Sequence, residues 1–268
     1  MINHGKTKEG HFGIILILLF TFLLLSSFPV GAAEDVETPK KIDLNWKPNP
    51  TVEEAVESIE ELYQELLDEV QISEEASCVV GSISEVIKNL QDLSADIEVT
   101  QYKRERADKA TGRLMVSAVH KAARLELYSP SALRGQIILA DQGNMEVRIY
   151  MPVTNEIAIQ SMSDMGEEAA AYINVTDVST LFDFSQYAVE VLESFTIDEI
   201  HHYLLQITGY DNQVQYVRVA SDTWIPYEIT VYEDGLLVGE LLFVNVKLDQ
   251  SLTEEEIRLL PKAKETRL

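Results

Sequence analysis

The chain has 268 residues, a formal net charge of −24 and one cysteine, Cys78. The single cysteine excludes an intramolecular disulfide and a zinc site built from cysteines. We expect its thiol to be buried and inert, and pairing with another chain is the alternative. Because the charge repels nucleic-acid phosphates and anionic lipid headgroups, it argues against nucleic acid and against a polybasic membrane anchor. Binding of an apolar molecule inside the fold stays open, and a salt-rich habitat is a second explanation of the acidity.

The N-terminus has the order of a secretory signal. Two lysines precede an almost unbroken run of Ile, Leu and Phe over 12–25, Pro29 interrupts the apolar stretch, and small residues follow at 30–33. This order predicts a cleavable signal peptide over 1–33 and a periplasmic or other extracytoplasmic location. The alternative is an uncleaved N-terminal membrane anchor. No cysteine lies near the cleavage site, so the sequence does not predict a lipidated N-terminus.

Behind the leader the chain divides into three parts. Residues 34–50 are polar, contain three prolines and are interpreted as a linker. Residues 51–80 form an acidic helical segment, because apolar side chains recur there at three- and four-residue steps and predict a helix over 51–70. The remaining part, 81–268, is interpreted as one domain, and it begins with a second predicted helix over 82–93.

After the second helix the hydrophobic period changes to two, which is typical of strands with one buried face. Gly-, Asn- and Asp-containing turns separate the strands, and such short connections predict antiparallel pairing. A short helix over 177–184 is predicted to cross the sheet. The predicted fold is α+β: a strongly curved antiparallel sheet of about 11 strands, forming a half-open β-barrel with helices packed on its concave side. The predicted strands are 95–104, 110–118, 121–128, 134–141, 145–151, 155–160, 186–193, 200–208, 213–221, 224–232 and 236–247.

The sequence offers no constellation of catalytic residues. It lacks the Gly-rich phosphate-binding motifs and the nucleophile motif G-x-S-x-G. His201 and His202 are adjacent in a predicted strand, so their rings point to opposite faces, and His120 lies in a predicted turn. We therefore predict that the protein is not an enzyme and has neither a metal site nor a cofactor.

Several short motifs follow one another in a recognisable order. The motifs are Leu90–Ile97, Thr111–Val116, Ala123–Pro130, Ile137–Gly143, Ile149–Pro152, Thr223–Tyr227 and the last strand with its following Leu259-Leu260-Pro261. Over about residues 82–262 this order resembles the outer-membrane lipoprotein-sorting proteins, the LolA/LolB-like superfamily. The resemblance implies an eleven-stranded half-open barrel with a helical lid. It also implies an exported carrier that holds lipoprotein acyl chains, or another lipid, in an apolar cavity.

Two features depart from that family. The lipoprotein carriers use an Arg after the G-x-L-x-V strand as a gate, and this chain has Ser117 and Ala118 at those positions. The acidic helix over 51–70 has no counterpart in the family. The resemblance therefore extends to holding a lipid and not to passing it to a membrane receptor.

The sequence leads to two functional hypotheses. The first is a non-catalytic carrier whose partners are lipid or lipoprotein acyl chains, with no stable membrane span once the leader is cleaved. The alternative is a regulatory or scaffolding module of the envelope, similar to sigma-factor regulators of the RseB type, with a protein partner docked on helix 51–70. The candidate cavity-lining residues, for which a plain core is the competing interpretation, are Leu114, Val116, Leu125, Leu127, Ile137, Leu139, Val147, Ile149, Tyr227, Ile229 and Leu241.

Overall fold

The computed structural model describes residues 73–103, 106–165, 182–184, 187–209 and 213–268. The predicted signal peptide, linker and helix 51–70 lie outside these residues. So does the predicted helix 177–184 except for its last three residues, which are not helical. Within the described part of the chain, no helix is long and apolar enough to cross a membrane.

The described strands form one curved sheet of twelve. All eleven predicted strands are present, and a twelfth follows at the C-terminus. The strands are β1 (Asp92–Lys103), β2 (Arg106–Ser117), β3 (Ala122–Ser129), β4 (Ile137–Asp141), β5 (Glu146–Met151), β6 (Glu156–Ser161), β7 (Ala188–Ile197), β8 (Ile200–Thr208), β9 (Gln213–Ala220), β10 (Pro226–Glu233), β11 (Leu236–Leu248) and β12 (Lys264–Arg267).

The strand order is β12-β6-β5-β4-β3-β2-β1-β11-β10-β9-β8-β7. Neighbouring strands pair antiparallel except for β12, which runs parallel to β6. The sheet therefore consists of two meanders, β1–β6 and β7–β11, joined where β1 pairs with β11. Its two ends do not meet among the described strands, so the sheet is an open half-barrel, and the predicted fold class is confirmed.

Helix α1 (Glu74–Asn89) covers the concave, inner face of the sheet. The Ser73 hydroxyl accepts a hydrogen bond from the Ala76 amide at 3.1 Å and caps the helix, and Glu74 and Glu75 lie at the positive end of its dipole. The helix begins eight residues earlier than the predicted second helix and ends four residues earlier. It ends because Leu90 adopts an extended conformation that leads directly into β1. Its buried residues are Ala76, Val79, Ile83 and Ile87.

The main hydrophobic core lies between α1 and the inner face. It takes side chains from both meanders, including Leu93, Val116, Leu205, Val217 and Leu241, each no more than 1% exposed. Phe182 and Phe184 are also fully buried in this core, and Phe182 packs edge-to-face on Phe243 at 5.8 Å between ring centroids. Cys78, on α1, is exposed. The expectation of a buried thiol is therefore wrong, because the cysteine lies off the apolar stripe of its helix.

The C-terminal segment crosses the outer, convex face over β2 to β6. It contains α2 (Glu254–Arg258), which has a capping box between Thr253 and Glu256. Ile257 of α2 is fully buried against Ala122 and Leu139. The prediction that helices pack on the concave side holds for α1, whereas α2, which was not predicted, lies on the convex side.

Candidate ligand-binding interior

The inner face carries a row of apolar side chains across four strands. Leu114 on β2 pairs with Leu125 on β3, Leu125 pairs with Ile138 on β4, and Ile138 pairs with Ile149 on β5. Leu114 and Leu125 are 8% and 9% exposed, and Ile149 is half-buried. We call these four residues the outer row, which is the less enclosed of two rows on the inner face and is not part of the outer face. Ile138 is 5% exposed, so three of the four side chains are buried in the core and only Ile149 is partly exposed.

The next row along the same strands is more completely enclosed. It consists of Val116, Ala123, Ala140 and Val147, of which none is more than 4% exposed. The two rows differ mainly at Ile149, because the other three residues of the outer row are at most 9% exposed.

Gly112 determines how closely β2 and β3 approach beside these rows. It lies opposite Leu127 at a register shift of the β2–β3 pair. A Cβ atom at this position would be 2.5 Å from the Glu126 carbonyl oxygen, far inside van der Waals contact. This close approach explains why the G-x-L-x-V motif begins with glycine.

Eight of the eleven candidate lining residues face the inner core. They are Leu114, Val116, Leu125, Leu127, Val147, Ile149, Ile229 and Leu241. The remaining three, Ile137, Leu139 and Tyr227, are not in this core. The eight define the candidate ligand-binding interior together with Ile138 and Ala140, which the sequence pattern assigned to the other face.

The three exceptions have physical causes. Strand β4 is buried on both faces, because α1 and the core cover one side and the C-terminal segment covers the other. A strand buried on both faces has no alternation from which its inner residues can be read. On β10, a bulge between Pro226 and Glu228 interrupts the alternation, and the Tyr227 ring contacts His202 on the outer face.

Arg124 is the buried arginine closest in sequence to the missing gate position. It is 8% exposed and lies on the outer face, where its Nη1 donates to the Leu259 carbonyl oxygen of the C-terminal segment. Its Nη2 is 3.6 Å from the Glu126 carboxylate. Arg124 therefore holds the C-terminal segment and does not face the apolar interior.

The outer face of β8 to β10 carries a second surface that the sequence reading missed. A groove of about 270 Å³ is lined by Leu204, Tyr216, Arg218, Glu228, Thr230 and Tyr232. Beside it, Phe195 stacks on His202 at 5.2 Å between ring centroids, and Tyr227 packs edge-on against His202 at 6.0 Å. Burial raises the pKa of the Tyr227 phenol above its ordinary value, while Arg218 acts in the opposite direction. We call the groove, with Tyr216, Tyr232 and Arg218, the aromatic patch. The signal for it is that the polar and aromatic residues of the groove alternate with the buried aliphatic residues Val217, Ile229 and Val231.

The side chains of the three described histidines do not converge on one site. His201 and His202 point to opposite sides of β8 as expected, with Thr196 near one ring and Phe195 stacked on the other. His120 lies in the β2–β3 turn, 3.0 Å from the Leu252 carbonyl oxygen. In the described ranges, His, Cys, Asp and Glu do not gather into a group of three that could hold a metal ion.

The chain matches no protein-family model and no curated protein. Among solved structures, an uncharacterized conserved protein from Thermus thermophilus is similar at a TM-score of 0.50 and 14% identity, over 73% of this chain and 100% of that one. A LolA superfamily protein from Nitrosomonas europaea gives a TM-score of 0.34 at 16% identity, over 69% and 97%. The Mycobacterium tuberculosis lipoprotein LppX gives 0.45 at 13% identity, over 68% and 99%. These matches are likenesses of fold at low identity, and they agree with the predicted resemblance without giving this chain a family or a role.

Proposed function

We propose that the protein is an exported, non-catalytic carrier that holds the acyl chains of a lipid or lipoprotein between α1 and the inner face of the sheet. The observation that carries the proposal is the outer row, Leu114, Leu125, Ile138 and Ile149. These are aliphatic side chains from four strands, facing the interior in one line that ends at the partly exposed Ile149. Extracytoplasmic action rests on the leader-like N-terminus.

The energetics of such a site suit an acyl chain. Each methylene group moved from water into an apolar site contributes about 0.8 kcal/mol, so a chain with about 14 buried methylenes gains on the order of 10 kcal/mol. Ordering of the chain and of the interior opposes part of this gain. The remainder is about 4–8 kcal/mol, which corresponds to a Kd between about 1 mM and 1 μM without any charged anchor. A headgroup anchor is not required, which agrees with a strongly acidic protein.

A titration with a fluorescent fatty acid such as cis-parinaric acid tests the proposal. We expect saturable binding to the delipidated mature protein, with displacement by a non-fluorescent phospholipid. Binding that does not saturate, or that a phospholipid fails to displace, would contradict a defined acyl-chain site.

A second candidate function, an envelope regulatory or scaffolding module, is favoured by the aromatic patch. Tyrosine and arginine are the residue types that contribute most to protein interfaces, and Tyr216 and Tyr232 pack edge-to-face at 5.5 Å beside Arg218. The patch lies on the face opposite to the proposed lipid site, so the two functions are separable by mutation. Substituting Tyr216 and Tyr232 by Ala should abolish partner binding and leave fatty-acid binding unchanged.

A further inference from the structure

Gln215 is a polar side chain enclosed in the apolar interior. It lies on β9 and is 4% exposed. Its neighbours across the sheet are Ile207 on β8 and Val231 on β10, which belong to the main core and are at most 2% exposed. Val217, two residues further along the same face of β9, is fully buried. The side chain of Gln215 therefore shares the inner face with the residues that form the core.

One half of the Gln215 amide group has no hydrogen-bond partner. Its Nε2 donates to the Oε1 of Gln213 at 3.1 Å. Its own Oε1 is shielded from solvent and has no partner among the described residues. An unsatisfied buried acceptor is costly, and folded proteins rarely leave one. Gln215 therefore presents a hydrogen-bond acceptor to a molecule that lies against the inner face at this point.

Gln215 lies in the row where the inner face changes from apolar to polar. The adjacent row is apolar and closed, with no member more than 4% exposed. It consists of Leu205, Val217, Ile229, Leu241 and Val99. The row of Gln215 continues through Val231 and Gly239 to Gln101 on β1 and Asp108 on β2. We call Gln215, Gln101 and Asp108 the polar end of the inner face.

The charged groups at the polar end are paired with one another. The Asp108 carboxylate is 2.8 Å from Lys103 Nζ and 3.2 Å from an Arg106 guanidinium nitrogen. The side chains of Lys103 and Asp108 are about one-third exposed, at 34% and 35%, so this cluster lies at the rim of the interior. The buried acceptor at this end that needs a donor is therefore the amide oxygen of Gln215.

The chemistry of that oxygen selects the group that can meet it. An amide oxygen accepts hydrogen bonds and cannot donate one, so a carboxylate or phosphate oxygen placed against it is repelled. A charged donor such as an ammonium group loses far more hydration on burial than a neutral one does. A neutral hydroxyl group therefore fits Gln215 better than either kind of charged headgroup.

An apolar surface joins the polar end to the outer row. On the inner face of β1, Ala95 pairs with Leu114 of the outer row, and Gln101 of the polar end is six residues further along. Ile97 and Val99 lie between them and are each 2% exposed. Six residues of strand span about 20 Å, which is comparable with the length of an extended long-chain acyl group. One acyl lipid therefore matches the distance between the outer row and the polar end.

We propose that Gln215 is the hydrogen-bond acceptor for a hydroxyl group of the bound lipid, so that the carrier prefers neutral, hydroxyl-bearing acyl lipids such as monoacylglycerols. This inference rests on the proposed acyl-chain site. The acyl chain lies along the inner face towards the outer row, and the hydroxyl group at its head donates to the Oε1 of Gln215.

Displacement of cis-parinaric acid by two uncharged lipids tests this inference. Monooleoylglycerol carries free hydroxyl groups, whereas methyl oleate has the same acyl chain and no hydrogen-bond donor. The ratio of their affinities is measured for the parent protein, for Gln215→Leu and for Gln215→Met, which keeps an unbranched side chain. Since the neighbours of Gln215 on both adjacent strands are aliphatic, both variants should fold.

The matched control is Gln206→Leu, which removes a half-buried glutamine from the outer face of the neighbouring strand β8, opposite Tyr216. In both Gln215 variants we expect the preference for monooleoylglycerol over methyl oleate to fall about tenfold, the effect of losing about one net hydrogen bond. In Gln206→Leu the preference should equal that of the parent protein.

The outcomes separate this inference from the proposed function. An equal preference in the parent protein and both Gln215 variants would overturn the inference, and so would an equal fall in Gln206→Leu. In those cases both lipids still displace cis-parinaric acid, and acyl-chain binding itself stands. If neither lipid displaces the probe from the parent protein, the acyl-chain site is wrong, and the role of Gln215 fails with it.

Discussion

Arg258 in α2 and Asp141 at the end of β4 form a bidentate ion pair. The Arg258 Nε is 2.9 Å from Asp141 Oδ2, and its Nη2 is 3.0 Å from Oδ1. The same Nη2 donates to the His120 carbonyl oxygen at 2.8 Å. Since the Asp141 side chain is only 2% exposed, this pair fixes the C-terminal segment to the outer face of the sheet.

Substituting Arg258 by Met should destabilise the protein by about 2 kcal/mol, because Asp141 keeps its burial and loses its main cation. Urea unfolding at pH 7 measures the change. The control is Arg267→Met, whose ion pair with Glu146 has a 72% exposed arginine side chain, and there the loss should stay below about 1 kcal/mol. Equal losses in the two variants would mean that Arg258 does not anchor the segment.

The Asp141 pair predicts a defined pH dependence. Burial alone would raise the pKa of Asp141, but hydrogen bonds from Arg258 and Asn144 outweigh it and hold the pKa below its ordinary value. Because the pKa of Asp141 is lower in the folded than in the unfolded protein, its ionised carboxylate stabilises the fold fully at a pH above about 3.9, its pKa in the unfolded chain. This stabilisation is lost as the pH falls through the pKa of the folded state.

Asp141→Asn should therefore be less stable than the parent protein at pH 7, and the difference should shrink below about pH 4. Unfolding curves at pH 7, 5 and 3 check this. The exposed Glu255→Gln in α2 serves as the control and should change little at any of these pH values. A deficit of Asp141→Asn that is the same at pH 7 and pH 3 would rule out the ionised carboxylate as its source.

Gly112→Ala should cost about 2 kcal/mol, because its Cβ would lie 2.5 Å from the Glu126 carbonyl oxygen and force β2 and β3 apart. Gly81→Ala is the matched control. It lies in α1 with no atom within 4 Å of the added Cβ, so it should stabilise the helix by up to about 1 kcal/mol. Thermal or urea unfolding of both variants measures these changes. A Gly112→Ala variant as stable as the parent protein would contradict the close approach of β2 and β3 at Gly112.

Ile149→Trp should weaken fatty-acid binding about tenfold or more, because the larger ring fills the least enclosed position of the outer row. Tyr150→Trp, on the opposite face of the same strand, should bind as the parent protein does. The titration with cis-parinaric acid compares the two. If Ile149→Trp binds normally while remaining folded, the ligand does not occupy the outer row.

Most strands were predictable because their residues alternate between a buried inner face and a more polar outer face. Strand β12 was not, since Lys264, Glu265, Thr266 and Arg267 are exposed on both faces and leave no hydrophobic period. Tyr227 was placed on the inner face because a one-residue bulge cannot be read from alternation.

Helix α1 was predicted with the wrong bounds for a local reason. Its first turns contain Ser77, Cys78 and Gly81, which have weak helix propensity. The helical spacing of apolar residues therefore becomes clear only after Ser82. At its other end Leu90 and Leu93 continue the helical spacing but belong to the connection and to β1, where burial against the core decides their conformation. The Ser73 cap sets the first bound, and tertiary packing, which the local sequence does not encode, sets the second.

Native mass spectrometry of the mature protein, purified from the extracytoplasmic fraction without detergent, tests the central claim most directly. The account predicts a population heavier than the polypeptide by the mass of one acylated molecule, which dissociates on activation and yields fatty-acyl fragments. Ile149→Trp should lose this population, and Tyr150→Trp should retain it. A protein that carries only its polypeptide mass, and that takes up no acyl ligand when lipid vesicles are added, would contradict the claim.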